Sequence, residues 1–427
     1  MTSTDSGSEM TAAVPSERRA AGLANAWRSP FFSDKLRAGG LRQGQVPDAE
    51  QWLDIPLTTK DELRAMSAAE FDEQLVVAAP ADIALYWRSG GVTGRPLFYP
   101  KAHADLPQLI QSFSRVLTLA GITSGDLAHN SFPFAGVHPV GHMFGHALAG
   151  MGAGNIFAGA GSNTPTDAQV ELLFTLKPTV WMGIGSYLTQ LGHRAELAGH
   201  DPRASTLRVA LSSAEPLTPA KRRRMQQTWD VELYDCYGMT ECSMMGGECR
   251  NRDGLHVWTD MFQLEILDEQ TLRPVPSGQD GLIVVTPFHS MNAIPFIRWS
   301  PGDIGRIDVG CDCGHGHYPR LTLGSRTVGF SKVRGVNINH NDLEDALLSN
   351  DDIADFMVTV ATTESTDEIL IEVETGPATD QQAAQETIRD VITSRFEVRP
   401  RVVMVDRGTV ATRLEREIKQ VRVRDLR

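Results

Sequence analysis

The sequence predicts an α/β protein in two parts, a large N-terminal region of strands packed by helices and a small α+β domain after it. Three observations carry this. The chain has 427 residues, more than one ordinary hydrophobic core absorbs, so at least two domains are expected. From Leu85 to Leu323, short apolar runs such as VWMGIG, RVALSS, FQLEIL and GLIVV alternate with helix-like stretches such as DAQVELLFTL and PAKRRRMQQTW, the alternation of an α/β architecture. Past Arg326 the texture changes. GVNINHNDLEDALLS, FMVTVATT, ILIEVET, QQAAQETIRDVITSRF and PRVVMVD read in turn as helix, two strands, helix and strand, a compact unit of about a hundred residues and within the ordinary domain range.

Taken from the N-terminus, residues 1–20 (MTSTDSGSEMTAAVPSERRA) lack the apolar run of a secretory signal and read as a solvated tail, which places the protein in the cytoplasm. From Trp27 to Met66 the pattern is amphipathic and helical, with Thr58 or Thr59 of PLTTKDEL expected to cap a helix whose first turn is acidic. Residues 21–326 form the expected large domain, 327–329 within GSRTVGFSK the hinge, and 330–427 the small domain. The longest low-charge stretch, Val137 to Ala160, is broken by His138, His142, His146 and several glycines, so it is not read as a membrane span. No internal repeat or low-complexity tract is apparent.

Composition narrows the partners. Hydrophobic residues make up 41% and charged residues 22%, as in a soluble globular protein. A net charge of -13 repels nucleic acid and anionic membranes, so small molecules or proteins are the expected partners. Five cysteines, an odd number in a large chain without a secretory signal, argue for thiols or metal ligands over a disulfide scaffold.

Five segments carry chemistry. In YWRSGGVTGRPLFY, residues 86–99, Gly90, Gly91 and Gly94 free main-chain N–H groups to surround an anion, Ser89 and Thr93 add hydroxyls and Arg95 adds charge. The spacing matches neither the Walker loop nor G-x-G-x-x-G, and a tight turn between two strands is the competing reading. YDCYGMTEC, residues 234–242, sets Thr240 beside Glu241 at a strand end, which suits a phosphate oxygen and a magnesium ion together. LSSAEP, residues 211–216, ends another strand in small residues against which a flat ring can lie. Asp303 in RWSPGDIG follows a Pro-Gly turn and suits the hydroxyls of a ribose, and Lys419 lies in the charged terminal stretch ATRLEREIKQVRVRDLR, for which a solvated helix or strand is the competing reading.

In this order the five segments resemble the adenylate-forming superfamily, most closely the phenylacetate-coenzyme A ligase family. The resemblance extends over nearly the whole chain through FFSDKLRAGG, IPLTTKDELR, NSFPF, KPTVWMGIGSY, SSAEP, YGMTE, GECRNRDGLHVWTD, KVRGVNIN and KQVRVRDLR. It implies a large adenylate-forming domain of several sheets packed by helices, a small mobile C-terminal domain carrying the catalytic lysine, ATP, Mg2+ and coenzyme A as cofactors, and a dimer. It also implies roles. Ser89, Gly90, Gly91, Thr93, Gly94 and Arg95 would hold the β- and γ-phosphates; Ser213, Ala214, Glu215 and Pro216 would border the adenine. Asp235, Tyr237, Gly238 and Met239 would complete the nucleotide site, with Tyr237 stacked beside the ring. Thr240 would touch the α-phosphate, Glu241 hold magnesium, Asp303 bind the ribose, Arg326 reach ribose or phosphate, and Lys419 bridge the α-phosphate and the acid. The chain departs from the family pattern at Val92, at Ser300 and Pro301, at Val328 or Gly329 where the hinge aspartate is expected, and at Ile418 before the lysine. The hinge changes bear on thioester formation; adenylation keeps Glu241, Asp303 and Lys419.

Cys249 and His256 in ECRNRDGLH, with Cys311 and Cys313 in GCDCGHGH, offer three soft thiolates and an imidazole for a tetrahedral structural zinc, a set the resemblance supports. His315 or His317 is an alternative fourth ligand, and four reduced thiols are the competing reading. Cys236 and Cys242 are expected to pack beside the nucleotide. His138, His142 and His146 recur at a helical spacing, but Pro139, Gly141 and Gly145 weaken a helix there, and the three read as pocket lining. Phe134, His138, Tyr187 and Ala214 are the expected acid pocket, whose aromatic wall suits an aryl or arylacetic acid. The expected activity is AMP-forming activation of that acid and transfer to coenzyme A. Transfer to another acceptor (an amine, a carrier protein or a second substrate molecule) and a non-catalytic ligand-binding homologue are the alternatives.

Overall fold

The computed structural model describes residues 14–89, 96–324, 329–363, 366–376, 379–415, 417 and 421–427. The chain divides into two compact units, one of residues 1–125, 134–154 and 234–327, the other of residues 126–133, 155–233 and 328–427. Strands and helices are mixed throughout both, as expected of an α/β protein.

The sheet of the first unit runs in the order Thr58–Thr59, Trp299–Ser300, Gly281–Thr286, Ile304–Asp308, Arg320–Leu323, Leu255–Val257, Ser243–Glu248 and Glu232–Met239, with Gln263–Leu267 paired to Gly281–Thr286. Its strands are largely buried on both faces: IVV of GLIVV at Ile283, Val284 and Val285 has no measurable exposure. The helix Leu106–Leu119 buries Leu109, Phe113, Val116 and Leu117 and meets this sheet where Val116 lies over Gly247 and Ser112 Oγ is 3.3 Å from Ser243 Oγ. Gly247 packs closely beneath the helix, since an added Cβ would stand 3.2 Å from the Val116 side chain.

The amphipathic N-terminal region folds as Ser16–Ala26, Pro30–Ala38, Ala49–Leu53 and Lys60–Ala65. The first helix begins inside the stretch read as a tail, because Leu23 and Ala26 bury their side chains; residues 1–13 lie outside the described residues. Thr59 is the cap of Lys60–Ala65, accepting from the Glu62 N–H while the Glu62 carboxylate accepts from the Thr59 N–H at 2.8 Å. Thr58 instead donates to the Ile297 carbonyl at 2.8 Å. Beside this cap, Arg298 is 1% exposed and meets the Glu265 carboxylate at 2.9 Å, with Trp52 donating to the same carboxylate at 3.0 Å. Two main-chain carbonyls, Leu53 and Ile55, accept from Arg298 Nη1.

A separate hairpin pairs Ile83–Arg88 with Phe98–Ala102, Trp87 opposite Tyr99. The glycine-rich segment joins these two strands, and residues 90–95 lie outside the described residues. The stretch of spaced histidines does form a helix, Val140–Met151. Tertiary packing overrides its glycines: Met143, Phe144, Ala147 and Leu148 are buried, and Phe144 meets Phe113 edge to face at 4.8 Å.

In the second unit the strands Leu127–Asn130, Val180–Gly183 and Val209–Ser213 are parallel, with Val180 paired to Ala128 and Val209. Helices Thr166–Leu176, Gly185–Leu197 and Pro219–Trp229 belong to the same unit. The C-terminal residues build a four-stranded sheet, Arg401–Met404, Thr366–Thr375, Ile353–Thr363 and Val423–Asp425, whose central pair is antiparallel and whose outer pairs are parallel. Three features exceed the expected helix, two strands, helix and strand: a hairpin, the helix Thr409–Leu414 and a last strand. A hairpin of Phe330–Val333 and Val336–Asn339 precedes the helix His340–Leu348, turning at Gly335 with φ +90. At the other end Val423–Asp425 joins the sheet, and Arg422 is buried against Asp355 at 2.8 Å rather than solvated. Of the expected hinge, residues 327 and 328 lie outside the described residues. Among the described residues no helix is long and apolar enough to cross a membrane.

Candidate active site and metal centre

Residues of the expected nucleotide site occur in both units. In the first, Glu232–Met239 and Ser243–Glu248 are antiparallel strands joined by Thr240, Glu241 and Cys242, with Met239 opposite Ser243. A bulge falls between Tyr237 and Gly238. Only glycine is accommodated at 238, where a Cβ would stand 2.5 Å from the Ser243 carbonyl oxygen. The turn leaves Thr240 half-buried and Glu241 buried. The Tyr237 hydroxyl donates to Asp303 Oδ2 at 2.6 Å, joining two residues assigned to adenine and ribose from separate motifs. Asp235 is half-buried; its N–H donates to the Glu248 carboxylate at 2.8 Å, and its own carboxylate accepts from the Cys236 N–H. Ser89 closes the hairpin before the glycine-rich segment, donating its N–H to the Leu97 carbonyl at 3.0 Å. Phe134 and His138 lie just before the Val140–Met151 helix, and the Phe134 carbonyl oxygen is 2.9 Å from His142 Nε2.

In the second unit, Ser213 ends the parallel strand Val209–Ser213 and Ala214 follows with φ +71, a strained non-glycine position of the kind that collects at functional sites. The Glu215 carboxylate accepts from the Ser186 N–H at 2.6 Å and lies 3.4 Å from the Lys221 ammonium, which also meets Glu344 at 3.0 Å. Pro216 is exposed. Tyr187 is buried, its hydroxyl 3.1 Å from Thr166 Oγ1, and burial pushes its phenol pKa up. Two charged residues near these positions had no sequence signal. Lys221 sits within a run of basic residues that reads as a solvated face, and Glu415 accepts from the Thr166 N–H and hydroxyl and from Gln190 at 2.9, 2.8 and 3.0 Å. Gly90, Gly91, Thr93, Gly94, Arg95, Arg326 and Lys419 lie outside the described residues.

The four side chains expected to ligate a metal gather in the first unit. The ligand atoms of Cys249, His256, Cys311 and Cys313 all lie within 4.8 Å of one another. Cys249 and Cys311 sulfurs are 3.8 Å apart; a tetrahedral zinc with bonds of about 2.3 Å holds its sulfurs at about that separation. His256 Nδ1 is 3.0 Å from the Tyr318 carbonyl and Nε2 is 3.3 Å from Cys313 Sγ. The carbonyl thus takes the ring proton and leaves the Nε2 lone pair for a cation. His315 donates its main-chain N–H to Cys313 Sγ at 3.4 Å, the His317 ring lies tilted against Tyr318 with centroids 4.2 Å apart, and His256 is the imidazole gathered with the thiols. Burial and the neighbouring thiols push Cys249 up to about 11. Three thiols and an imidazole this close form a soft donor set that fits zinc.

Comparison with known proteins gives the class. The AMP-binding enzyme family matches residues 34–292 and the AMP-binding enzyme C-terminal domain matches residues 335–427. The chain therefore belongs to the AMP-binding enzyme family. Among its relatives, a phenylacetate-coenzyme A ligase of Thermus thermophilus is 27% identical over 376 residues, 86% of this chain and 81% of that one. The Escherichia coli phenylacetate-coenzyme A ligase is 26% identical over 330 residues, 75% of this chain and 71% of that one. Among solved structures, a 2-hydroxyisobutyryl-CoA ligase in the postadenylation state with 2-HIB-AMP aligns with TM-score 0.86 at 24% identity, covering 100% of this chain and 91% of that one. The same ligase in the thioesterification state, with CoA, aligns at 0.67, covering 97% and 91%.

Proposed function

We propose that this protein is an AMP-forming acid–thiol ligase that activates an aromatic carboxylic acid with ATP and transfers the acyl group to coenzyme A. The observation that carries the reading is similarity to a phenylacetate-coenzyme A ligase along 86% of the chain; the pairing of Tyr237 with Asp303 at 2.6 Å supports it. A carboxylate oxygen of the acid attacks the α-phosphorus, the bond to the β-phosphate oxygen breaks, and pyrophosphate leaves with its electron pair. The thiolate sulfur of coenzyme A then attacks the acyl carbon and AMP departs. A carboxylate is already a competent nucleophile, so the protein's share of the first step is positioning and charge neutralisation.

The roles follow residue by residue. Asp303 accepts from the ribose hydroxyls while Tyr237, oriented by that carboxylate, lies along the adenine. Ser213, Ala214, Glu215 and Pro216 border the ring. Ser89 and the glycine-rich segment through Arg95 receive the terminal phosphates, Thr240 the α-phosphate, and Arg326 the ribose or phosphate. Lys419, carried by a mobile domain of residues 330–427 behind a hinge at 327–329, bridges phosphate and acid. Magnesium, when bound at Glu241, supplies charge neutralisation of the triphosphate. Phe134, His138, Tyr187 and Ala214 line the acid pocket, and an aromatic wall favours an aryl or arylacetic acid. Cys249, His256, Cys311 and Cys313 hold a structural zinc.

A second reading sends the adenylate to an acceptor other than coenzyme A, and the residues Val328 and Gly329 at the hinge favour it. The test is pyrophosphate release with ATP and magnesium across a panel of aromatic acids, each with and without coenzyme A, followed by mass spectrometry. A thioester product supports the first reading. Acid-dependent release without thioester supports the second, and no release with any acid counts against both.

A further inference from the structure

Lys101 is 3% exposed on the Phe98–Ala102 strand. Its ammonium donates to the main-chain carbonyl of Glu241 at 3.0 Å and lies 4.7 Å over the ring of Trp87. Among the described residues it forms no ion pair with a carboxylate. Burying a charge is costly unless it is compensated, and burial pulls the Lys101 pKa down, with Asp105, Cys242 and Glu241 opposing. Asp105, also buried, is spoken for by Asn292 at 2.8 Å and by the Ala102 N–H at 3.3 Å. Tyr99 stands two residues earlier on the same side of the strand, where burial and the Glu241 charge push its phenol up. The strand thus directs an aromatic hydroxyl and a cation toward one three-residue turn, the turn of Thr240, Glu241 and Cys242. It is also the strand that leads directly out of the glycine-rich segment.

We propose that Lys101 is a positioning residue for the nucleotide site: by holding the Glu241 carbonyl it sets the turn that presents the Glu241 carboxylate to the magnesium of ATP. The inference rests on the reading of Glu241 given above. A strongly donating ammonium on the main chain fixes the turn without itself occupying the carboxylate. Trp87 and the burial exclude the water that would otherwise replace the ammonium at the carbonyl.

The test compares the full chain with Lys101→Met and Glu241→Gln. Two quantities are read: the dissociation constant of ATP by calorimetry across a MgCl2 series without acid, and the MgCl2 midpoint for pyrophosphate release. Thermal unfolding of each variant without nucleotide reports folding separately. Lys101→Met is expected to raise the MgCl2 midpoint in both assays by about tenfold or more, as for loss of a hydrogen bond from a charged donor. Lys101→Arg, which keeps charge and donors, is expected to recover part of the shift. Where Lys101→Met does not fold, Lys101→Gln, too short to reach the carbonyl, takes its place with the same expectation. An unshifted midpoint in a folded Lys101 variant, alongside a shifted one in Glu241→Gln, overturns the role of Lys101 and leaves Glu241 standing. Unshifted midpoints in both overturn the reading of Glu241 and the inference with it.

Discussion

The Cys249–His256–Cys311–Cys313 cluster and the Glu241 turn belong to the same unit and are built in contrasting ways. The cluster takes its ligand atoms from two short segments, and its Cys311 and Cys313 thiols remain half-exposed. The turn has its carboxylate residue 5% exposed, and its main chain is held by a lysine 140 residues away. In the cluster, residue type alone defines the chemistry, since three thiols and an imidazole suit few ions besides zinc. At the turn, glutamate is an ordinary residue whose function depends on what fixes its backbone. On the roles proposed above, a structural site and a reactive site on one sheet respond to different perturbations, and four experiments separate them.

The largest expected effect lies on the reactive side. Lys419→Ala should lower acyl-adenylate formation by on the order of a thousandfold, the scale of losing a group that stabilises developing charge, with ATP affinity and metal content little changed. Single-turnover formation of the adenylate, followed by mass spectrometry, measures it; normal adenylation would refute the assignment of that lysine.

Next comes the cluster. Cys313→Ser should reduce bound zinc, measured by elemental analysis, and lower stability by about 2–4 kcal/mol, a fraction of the binding energy typical of structural zinc. Adenylation at low temperature should survive in the fraction that stays folded. Loss of catalysis at unchanged stability would instead bring the cluster into the reaction and erase the contrast.

A smaller effect is expected at Tyr237. Tyr237→Phe leaves the ring and removes the 2.6 Å hydrogen bond to Asp303. Losing a hydrogen bond to a charged acceptor costs about 1.5–3 kcal/mol, so ATP affinity by calorimetry should weaken by roughly tenfold to a hundredfold. An unchanged affinity would show that Asp303 does not need this partner to meet the ribose.

The smallest effect concerns pH and separates both sites from the general fold. Asp260 is partly buried, which pushes its carboxyl up, but two 2.7 Å hydrogen bonds from Arg115 and its charge outweigh this and hold the pKa below the ordinary value. A carboxylate depressed in the folded state contributes stability above its unfolded pKa, near 3.9, and loses it as pH falls through the folded value. Arg115→Met should therefore lower stability slightly at neutrality, where this contribution is fully present, by an amount that shrinks as pH falls through the folded pKa, and move acid unfolding, followed by tryptophan fluorescence, to higher pH. An unmoved acid transition would show that the pair is too well solvated to matter.

Much of the fold was legible. The apolar runs at Val180–Gly183, Val209–Ser213 and Gly281–Thr286 are strands, and DAQVELLFTL lies within the helix Thr166–Leu176. The misreadings have specific causes. Gly141 and Gly145 argued against a helix that the packing of Phe144 on Phe113 stabilises anyway. The terminal basic stretch looked solvated because nothing in its pattern announced that Arg422 would be buried against Asp355. Capping could be reduced to Thr58 or Thr59, and the choice fell to the Ile297 carbonyl, which engages Thr58.

The sequence by itself determined the α/β class, the kinds of groups available for adenylation, and the soft donor set of the cysteines, because each depends on residue identity and local spacing. Tertiary structure decided which imidazole joined the thiols, that Tyr237 meets Asp303, that Lys101 holds the Glu241 carbonyl, and that Glu415 engages Thr166. Those last three pairings span 66, 140 and 249 residues. Contacts closed over such distances leave no periodicity along the chain, and their geometry is selected by burial and hydrogen bonding only once the strands have paired.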